Sequence, residues 1–207
     1  NSRHFMERQS ISAIEWCWTN YYVTNTNERS IGVKESIRTV KDFPIPGIQF
    51  RDITGLLEDP KAFKESIIQL TSECIGFNCN SIIGIESRGF IFSSPIAFDL
   101  NLPLVLARKQ GKLPNETVSK AYTLEYGEAE LHIQTISPIM GKIVIIDDLI
   151  ATGGTALACA DLIHENWKIP KKNILILSVI DLPDLNGSKL IREQGYNVKT
   201  LIEFEGT

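Results

Sequence analysis

Two apolar runs constrain this chain more than any other feature. "GKIVIID" (141–147) and "NILILSVI" (173–180) are almost continuously aliphatic. A strand with one wet face alternates apolar and polar residues, whereas a strand covered on both faces does not. The residues between them, "TALACADLIHENW" (155–167), read as a crossover helix. Strand, helix and strand in that order imply parallel neighbours in a sheet with helices on its faces. The pattern continues on either side. "SIIGI" (81–85) and "LPLVLA" (102–107) read as further strands, "GFIFSSPIAFDL" (89–100) as a helix packed on them, and "NVKTLIEF" (197–204) as the strand that closes the sheet. "EDPKAFKESIIQLTSEC" (58–74) opens with Asp59 as an N-cap and Pro60 at the first helical position. Phe63, Ile67, Leu70 and Cys74 then fall on one helical face. "ERSIGVKESIRTV" (28–40) is expected to form a short helix around Ile31, Glu35 and Arg38, ended by the prolines of "KDFPIPG". The fold class is α/β, with a mostly parallel twisted sheet flanked by helices.

Two segments stand apart. "RKQGKLPNETVSKAYTLEYGEAELHIQT" (108–135) begins as a loop rich in Lys, Gly and Pro, then alternates. It reads as a long excursion whose far side is a β-ribbon, and loops of that length in small domains are commonly functional lids. Residues 1–27 hold two of the three tryptophans, start without Met and show no clear period. They are expected to be an N-terminal extension, unordered or foreign to the native start, ahead of a domain spanning 28–207. The alternative is a packed arm using Trp16, Trp18, Tyr21 and Tyr22.

Composition removes several classes of function. A net charge of -4 lacks the basic face that a nucleic-acid binder presents. The four cysteines form no CxxC pair and have no zinc spacing, so they read as reduced, buried thiols. No apolar run approaches the ~20 residues of a membrane span, and the start lacks a signal-peptide core. A cytoplasmic location is the expectation. His4, His132 and His164 are assigned no role.

The first apolar run ends in "VIIDDLIATGGTA" (144–156). A helix starting directly after a strand offers unpaired N–H groups and the positive end of its dipole. Gly153 and Gly154 let the backbone approach a ligand, and Thr152 and Thr155 add hydroxyl donors, which makes a phosphate cradle without a lysine. It is not a Walker A loop, and no G-x-G-x-x-G occurs anywhere. Asp147 and Asp148 precede the cradle. Carboxylates accept from neighbouring sugar hydroxyls and attract magnesium. A 5-phosphate, vicinal ribose hydroxyls and a metal-bound phosphate group satisfy every element, and phosphoribosyl pyrophosphate (PRPP) carries all three.

This stretch resembles the PRPP signature of the type I phosphoribosyltransferases. "DFPIPGIQFRDITGLLEDP", "GIESRGFIF", "ARKQGKLP" and "YTLEYGEAEL" resemble, in order, segments of the adenine phosphoribosyltransferase family, over roughly Ile31 to Glu205. The resemblance implies the type I phosphoribosyltransferase fold, with a flexible β-ribbon lid and a small hood. It also implies the activity: adenine plus PRPP to AMP plus pyrophosphate, in purine salvage, by a magnesium-dependent homodimer. Ala151 to Thr155 resemble the loop holding the 5-phosphate, with Asp147 and Asp148 on the ribose hydroxyls. Glu86, Ser87 and Arg88 resemble the turn that meets pyrophosphate, which in the family often contains a cis peptide. Arg108, Lys109 and Lys112 match a basic cluster that reaches pyrophosphate partly across a dimer interface. Phe50 is implied to stack on adenine, backbone groups at Arg51 to read its edge, and Leu182 to cover its other face. Glu125 is implied to take a proton at purine N7, with Tyr126 beside it among the ligand contacts. Arg88 is implied to share the catalytic work by offsetting charge on the leaving pyrophosphate. Magnesium is implied to arrive on PRPP, near Asp147 or Asp148, without direct protein ligation.

The base is chosen at two positions. Enzymes for 6-oxopurines resemble "EDIIDTGKT", with an acid where this chain has Ala151, and here Glu125 on the lid takes that place. Adenine leads on that ground, with a 6-oxopurine or xanthine enzyme as the alternative. A non-catalytic PRPP-sensing regulator is disfavoured, because 27 extra residues without a basic stripe do not make an ordinary DNA-binding module.

Overall fold

The computed structural model describes residues 32–124 and 127–206. The extension expected at 1–27, like Glu125 and Tyr126, lies outside the described residues. The elements run β1 (Arg38–Lys41), β2 (Gln49–Asp52), α1 (Thr54–Glu58), α2 (Pro60–Phe77), β3 (Ser81–Ile85), α3 (Gly89–Asp99), β4 (Leu104–Lys109), β5 (Thr117–Leu124) and β6 (Gly127–Gln134). They continue with β7 (Ile143–Ile150), α4 (Gly154–Trp167), β8 (Ile174–Asp181), α5 (Gly187–Glu193) and β9 (Asn197–Glu203).

The main sheet has seven strands in the order β5-β6-β4-β3-β7-β8-β9, and its five central and right-hand strands, β4 to β9, pair in parallel. The aliphatic runs explain why. Along β7, Ile143 and Ile145 face one core with Cys159 and Ile163 of α4, while Val144 and Ile146 face another with Leu70 of α2 and Phe92 of α3. Both faces of the strand are therefore dry, as continuous apolar sequence requires. Asp59 caps α2 as expected, its side chain accepting from the Lys61 and Ala62 amides, with Pro60 at the first position.

Strand order reverses between β3 and β7. β3 leads through α3 to β4 on one side, and β7 leads through α4 to β8 on the other. The loops leaving the carboxyl ends of these two strands consequently part company and leave a crevice, which is where open α/β sheets bind ligands.

One feature differs from the sequence expectation. The helix expected at 28–40 is not formed over its described part. Ser36 and Ile37 close turns onto Gly32 and Lys34, and Arg38–Lys41 then pairs antiparallel with β2. The Ile37–Thr39–Val40 run is rich in β-branched residues and has a partner strand, so the ladder outweighs the helical spacing. The excursion does form a β-ribbon, β5–β6, added antiparallel to the edge of β4. Its root is packed rather than loose. Val118 and Tyr122 lie against the core, and Lys120 pairs with Glu165 of α4 at 2.5 Å.

Candidate active site

The crevice is a cleft of about 410 Å³, lined by the Glu86–Arg88 turn after β3, by Lys109 and Tyr122 from the ribbon side, and by Asp147 to Ala156 after β7. Its floor is backbone. Gly153 sits at φ 81°, a left-handed conformation that frees the amides at the start of α4 to point into the cleft. A side chain at Gly153 would stand 2.9 Å from the Gly187 carbonyl oxygen, and one at Gly187 would stand 2.7 Å from the Gly153 amide. The two glycines thus let the start of α5 back directly onto the cradle.

Asp147 and Asp148 end the hydrophobic strand in different ways. Asp147 Oδ1 accepts from the Asp148 amide at 2.9 Å. Burial, and then the charge of Asp148, hold the Asp147 carboxyl well above its ordinary range. Burial also raises Asp148, against the pull of Arg88. Arg88 Nε lies 3.0 Å from Asp148 Oδ2, yet that oxygen is buried and has no donor in hydrogen-bond alignment. The site therefore holds more acceptor capacity than the protein satisfies. Sugar hydroxyls, or a hard cation, suit such a pair.

The loop after β3 contains a cis Glu86–Ser87 peptide, as the family resemblance leads one to expect. Arg88 leaves that turn with its side chain 43% exposed, and its guanidinium lies 5.9 Å from the Phe50 ring. Phe50 packs edge-on to Phe43, with ring centroids 5.1 Å apart. With Val40 and Asp52 these two rings form an apolar notch of about 280 Å³. A glycine-rich helix start, a carboxylate pair and a cation thus meet at the switch of a parallel sheet, with the apolar notch reached through Arg88.

Comparison with known proteins decides the family. The phosphoribosyl transferase domain model matches residues 55–167. An adenine phosphoribosyltransferase from Methylobacterium radiotolerans is 46% identical over 180 residues, covering 86% of this chain and 97% of that protein. The chain belongs to the adenine phosphoribosyltransferase family. Solved structures agree. The family member from Thermoanaerobacter pseudethanolicus matches with a TM-score of 0.74 and 41% identity, over 83% of this chain and 98% of that one. The Saccharomyces cerevisiae member, solved with an imino-altritol bisphosphate and adenine, matches with a TM-score of 0.71 and 30% identity, over 82% of this chain and 96% of that one.

Apart from Phe50 and Arg51 of β2, the residues singled out by the family resemblance fall into three groups, with Glu86 shared by the first two. Asp147, Asp148, Ala151, Thr152, Gly153, Gly154, Thr155, Ser87, Arg88 and Lys109 meet in the cleft, with Glu86 at its edge. A second group is occupied elsewhere in the protein. Both Glu86 oxygens accept from Arg108, at 3.2 Å each, and one also accepts from the Lys109 amide at 3.0 Å. Burial works to raise the Glu86 pKa, but these bonds and the Arg108 and Lys112 charges outweigh it and hold the carboxyl below its ordinary range. Glu86 is an acceptor for the protein's own cations, and Arg108 is held back from the cleft by that pair and by the Lys112 carbonyl at 3.0 Å. Lys112 itself does not line the cleft. Leu182 is buried in the core beside Ile180 and Val179, its amide bonded to the Ile150 carbonyl at 3.0 Å, so it supports the cradle strand and does not line the cleft. The third group, Glu125 and Tyr126, lies outside the described residues. Tyr122 and Gly187 escaped the sequence reading. Tyr122 had a signal, the alternation of the ribbon; Gly187 had none, because nothing local to "LNGSK" marks its contact with a loop 34 positions away.

Proposed function

We propose that the chain transfers the 5-phosphoribosyl group of PRPP to adenine, giving AMP and pyrophosphate, a purine-salvage reaction. The observation that carries this reading is the cleft itself. One crevice gathers the Asp147–Asp148 pair, Arg88 and the α4 amides beside the Phe50 notch, in a chain of this family. The α4 amides and Thr152 and Thr155 hold the 5-phosphate. Asp147 and Asp148 accept the ribose hydroxyls, and Phe50 stacks on the purine. Purine N9 attacks C1′ as the bond to pyrophosphate breaks and its electron pair leaves with the pyrophosphate oxygen. Arg88 offsets that charge, with Lys109 beside it. Glu125 accepts the proton the purine sheds, at N7, which makes N9 the better nucleophile.

Magnesium fits the site's chemistry as a companion of the substrate. The Asp148 oxygen that lacks an aligned donor and the neighbouring Asp147 carboxylate are hard oxygens facing the cleft, but two carboxylates make only part of the six-oxygen set the ion takes. Asp147 or Asp148 would meet an ion carried on PRPP, whose charge would stabilise the departing pyrophosphate.

The reading includes a homodimer. α3 turns Ile91 and Phe98, seven residues apart on one helical face, toward solvent, and Phe98 is 80% exposed. An apolar stripe of that kind suits a second copy.

The test is nucleotide formation from PRPP and magnesium with adenine, guanine, hypoxanthine, xanthine and orotate in parallel, for wild type and Glu125→Gln. AMP from adenine alone, falling by about 10²–10⁴-fold in the variant, is the expected result for a lost general base. Turnover of a 6-oxopurine instead would overturn the base assignment drawn from Ala151.

A further inference from the structure

A two-stranded sheet standing alone is at best marginally stable in water. The β1–β2 hairpin has little apolar area with which to anchor itself, since all of β1 is exposed and Arg51 is the one buried residue of β2. The register sets Val40 opposite Phe50 and Thr39 opposite Arg51. Alternation then gives the hairpin two different faces. One carries Val40, Phe50 and Asp52 and forms the notch with Phe43. The other carries Arg51, only 6% exposed.

The two terminal nitrogens of the Arg51 guanidinium donate within the protein, while the buried Nε has no partner among the described residues. Nη1 donates to Thr39 Oγ1 at 2.6 Å, and Nη2 donates to the Glu205 and Gly206 carbonyls at 2.9 and 2.8 Å. Its Cζ lies 4.7 Å from the Phe204 ring centroid. The strap it grips is fixed from the other side. The Phe204 amide donates to the Asp181 carbonyl at 3.1 Å, and the Gly206 amide to Asp184 Oδ2 at 2.8 Å. Asp181 ends β8, so the chain of bonds runs from the main sheet, through Phe204–Gly206, to the back of the hairpin.

We propose that the Arg51 side chain is a positioning residue for the nucleobase, acting through the Phe204–Gly206 strap to hold Phe50 in place from behind. It touches no substrate. The inference rests on the adenine reading only for what the notch holds. A planar fork is needed because three acceptors lie on two sides of the guanidinium, and a lysine ammonium presents no such fixed geometry.

The test compares wild type with Arg51→Lys, Arg51→Gln and Asp184→Asn. Asp184 is exposed, so its variant keeps the core while loosening the strap. Two quantities are measured: amide hydrogen exchange in peptides spanning 38–52, without substrate, and KM for adenine and PRPP separately. Hairpin exchange should quicken by about tenfold or more in the Arg51 variants, with a smaller change in Asp184→Asn. KM for adenine should rise by about tenfold while KM for PRPP and kcat stay within about twofold, the mark of an effect confined to one substrate. Unchanged hairpin exchange would overturn the proposal, and so would a parallel rise in both KM values, which is what general loosening of the fold produces. Were the wild type to turn over no adenine, the functional reading above would fall, while the exchange comparison, which needs no substrate, would still decide the anchoring.

Discussion

Asp147 is held where its charge is costly. Burial and the neighbouring Asp148 raise its pKa, so the folded chain binds that proton more tightly than the unfolded chain does. A carboxyl of this kind contributes its full stability below the ordinary aspartate range and loses it as pH rises through the raised value. Asp147→Asn removes both the charge and the titration. Without ligand it should melt higher than wild type at neutral pH, by about 2–4 °C if about 1 kcal/mol is recovered in a chain of this size. The gap should narrow as pH falls toward the ordinary carboxylate range. Nucleotide formation should drop sharply in the same variant, and a variant melting no higher than wild type across that pH range would sink the account. At this scale the sequence was legible for the groups that line the cleft, and less so for charges that answer one another. Glu86 and Arg108 lie 22 positions apart, and nothing in either segment says that each is the other's partner. Arg51 is the same case, two of its three acceptors lying more than 150 positions away in the chain.

Among the elements, the loop from β7 into α4 is the least forgiving. Its shape depends on the start of α5, which was invisible in the local pattern. A methyl group at Gly187 would push into the Ala151 carbonyl and the Gly153 amide, both backbone groups with no freedom to step aside. Gly187→Ala should therefore displace the phosphate cradle, raising KM for PRPP by about tenfold or more and lowering stability by about 1–3 kcal/mol, the usual cost of overpacking. Steady-state kinetics and urea unfolding check both. The elements themselves followed the sequence where burial imposes a period: β7, β8, α4 and the capped start of α2 all lie where their residues point. The one reversal, Arg38–Lys41, is a short and exposed piece whose state is set by the strand beside it. No periodicity in four solvent-facing residues could have shown that.

Across the whole molecule, the reversal of strand order between β3 and β7 sets where the cleft opens; the alternation of strands and helices implied a parallel sheet, but not the order of its strands. Among the described residues, no helix is long and apolar enough to cross a membrane. Subunit association is tested at this scale. A charge at Phe98, the carboxyl-end residue of the α3 stripe, should break an apolar interface without disturbing the core, since Phe98 is mostly outside it. Phe98→Asp should sediment at half the wild-type mass and keep its far-ultraviolet circular dichroism; an unchanged mass would place the interface elsewhere. The β1–β2 hairpin carries a final consequence. Among the described residues it shares no ladder with the main sheet, so on the proposed reading the part that would read the base and the part that would hold the sugar phosphate are different pieces of protein. A lineage could trade one hairpin for another and acquire a new acceptor while inheriting its sugar-handling machinery intact. Grafting residues 38–52 from a relative with another base preference would show how far that interchangeability extends.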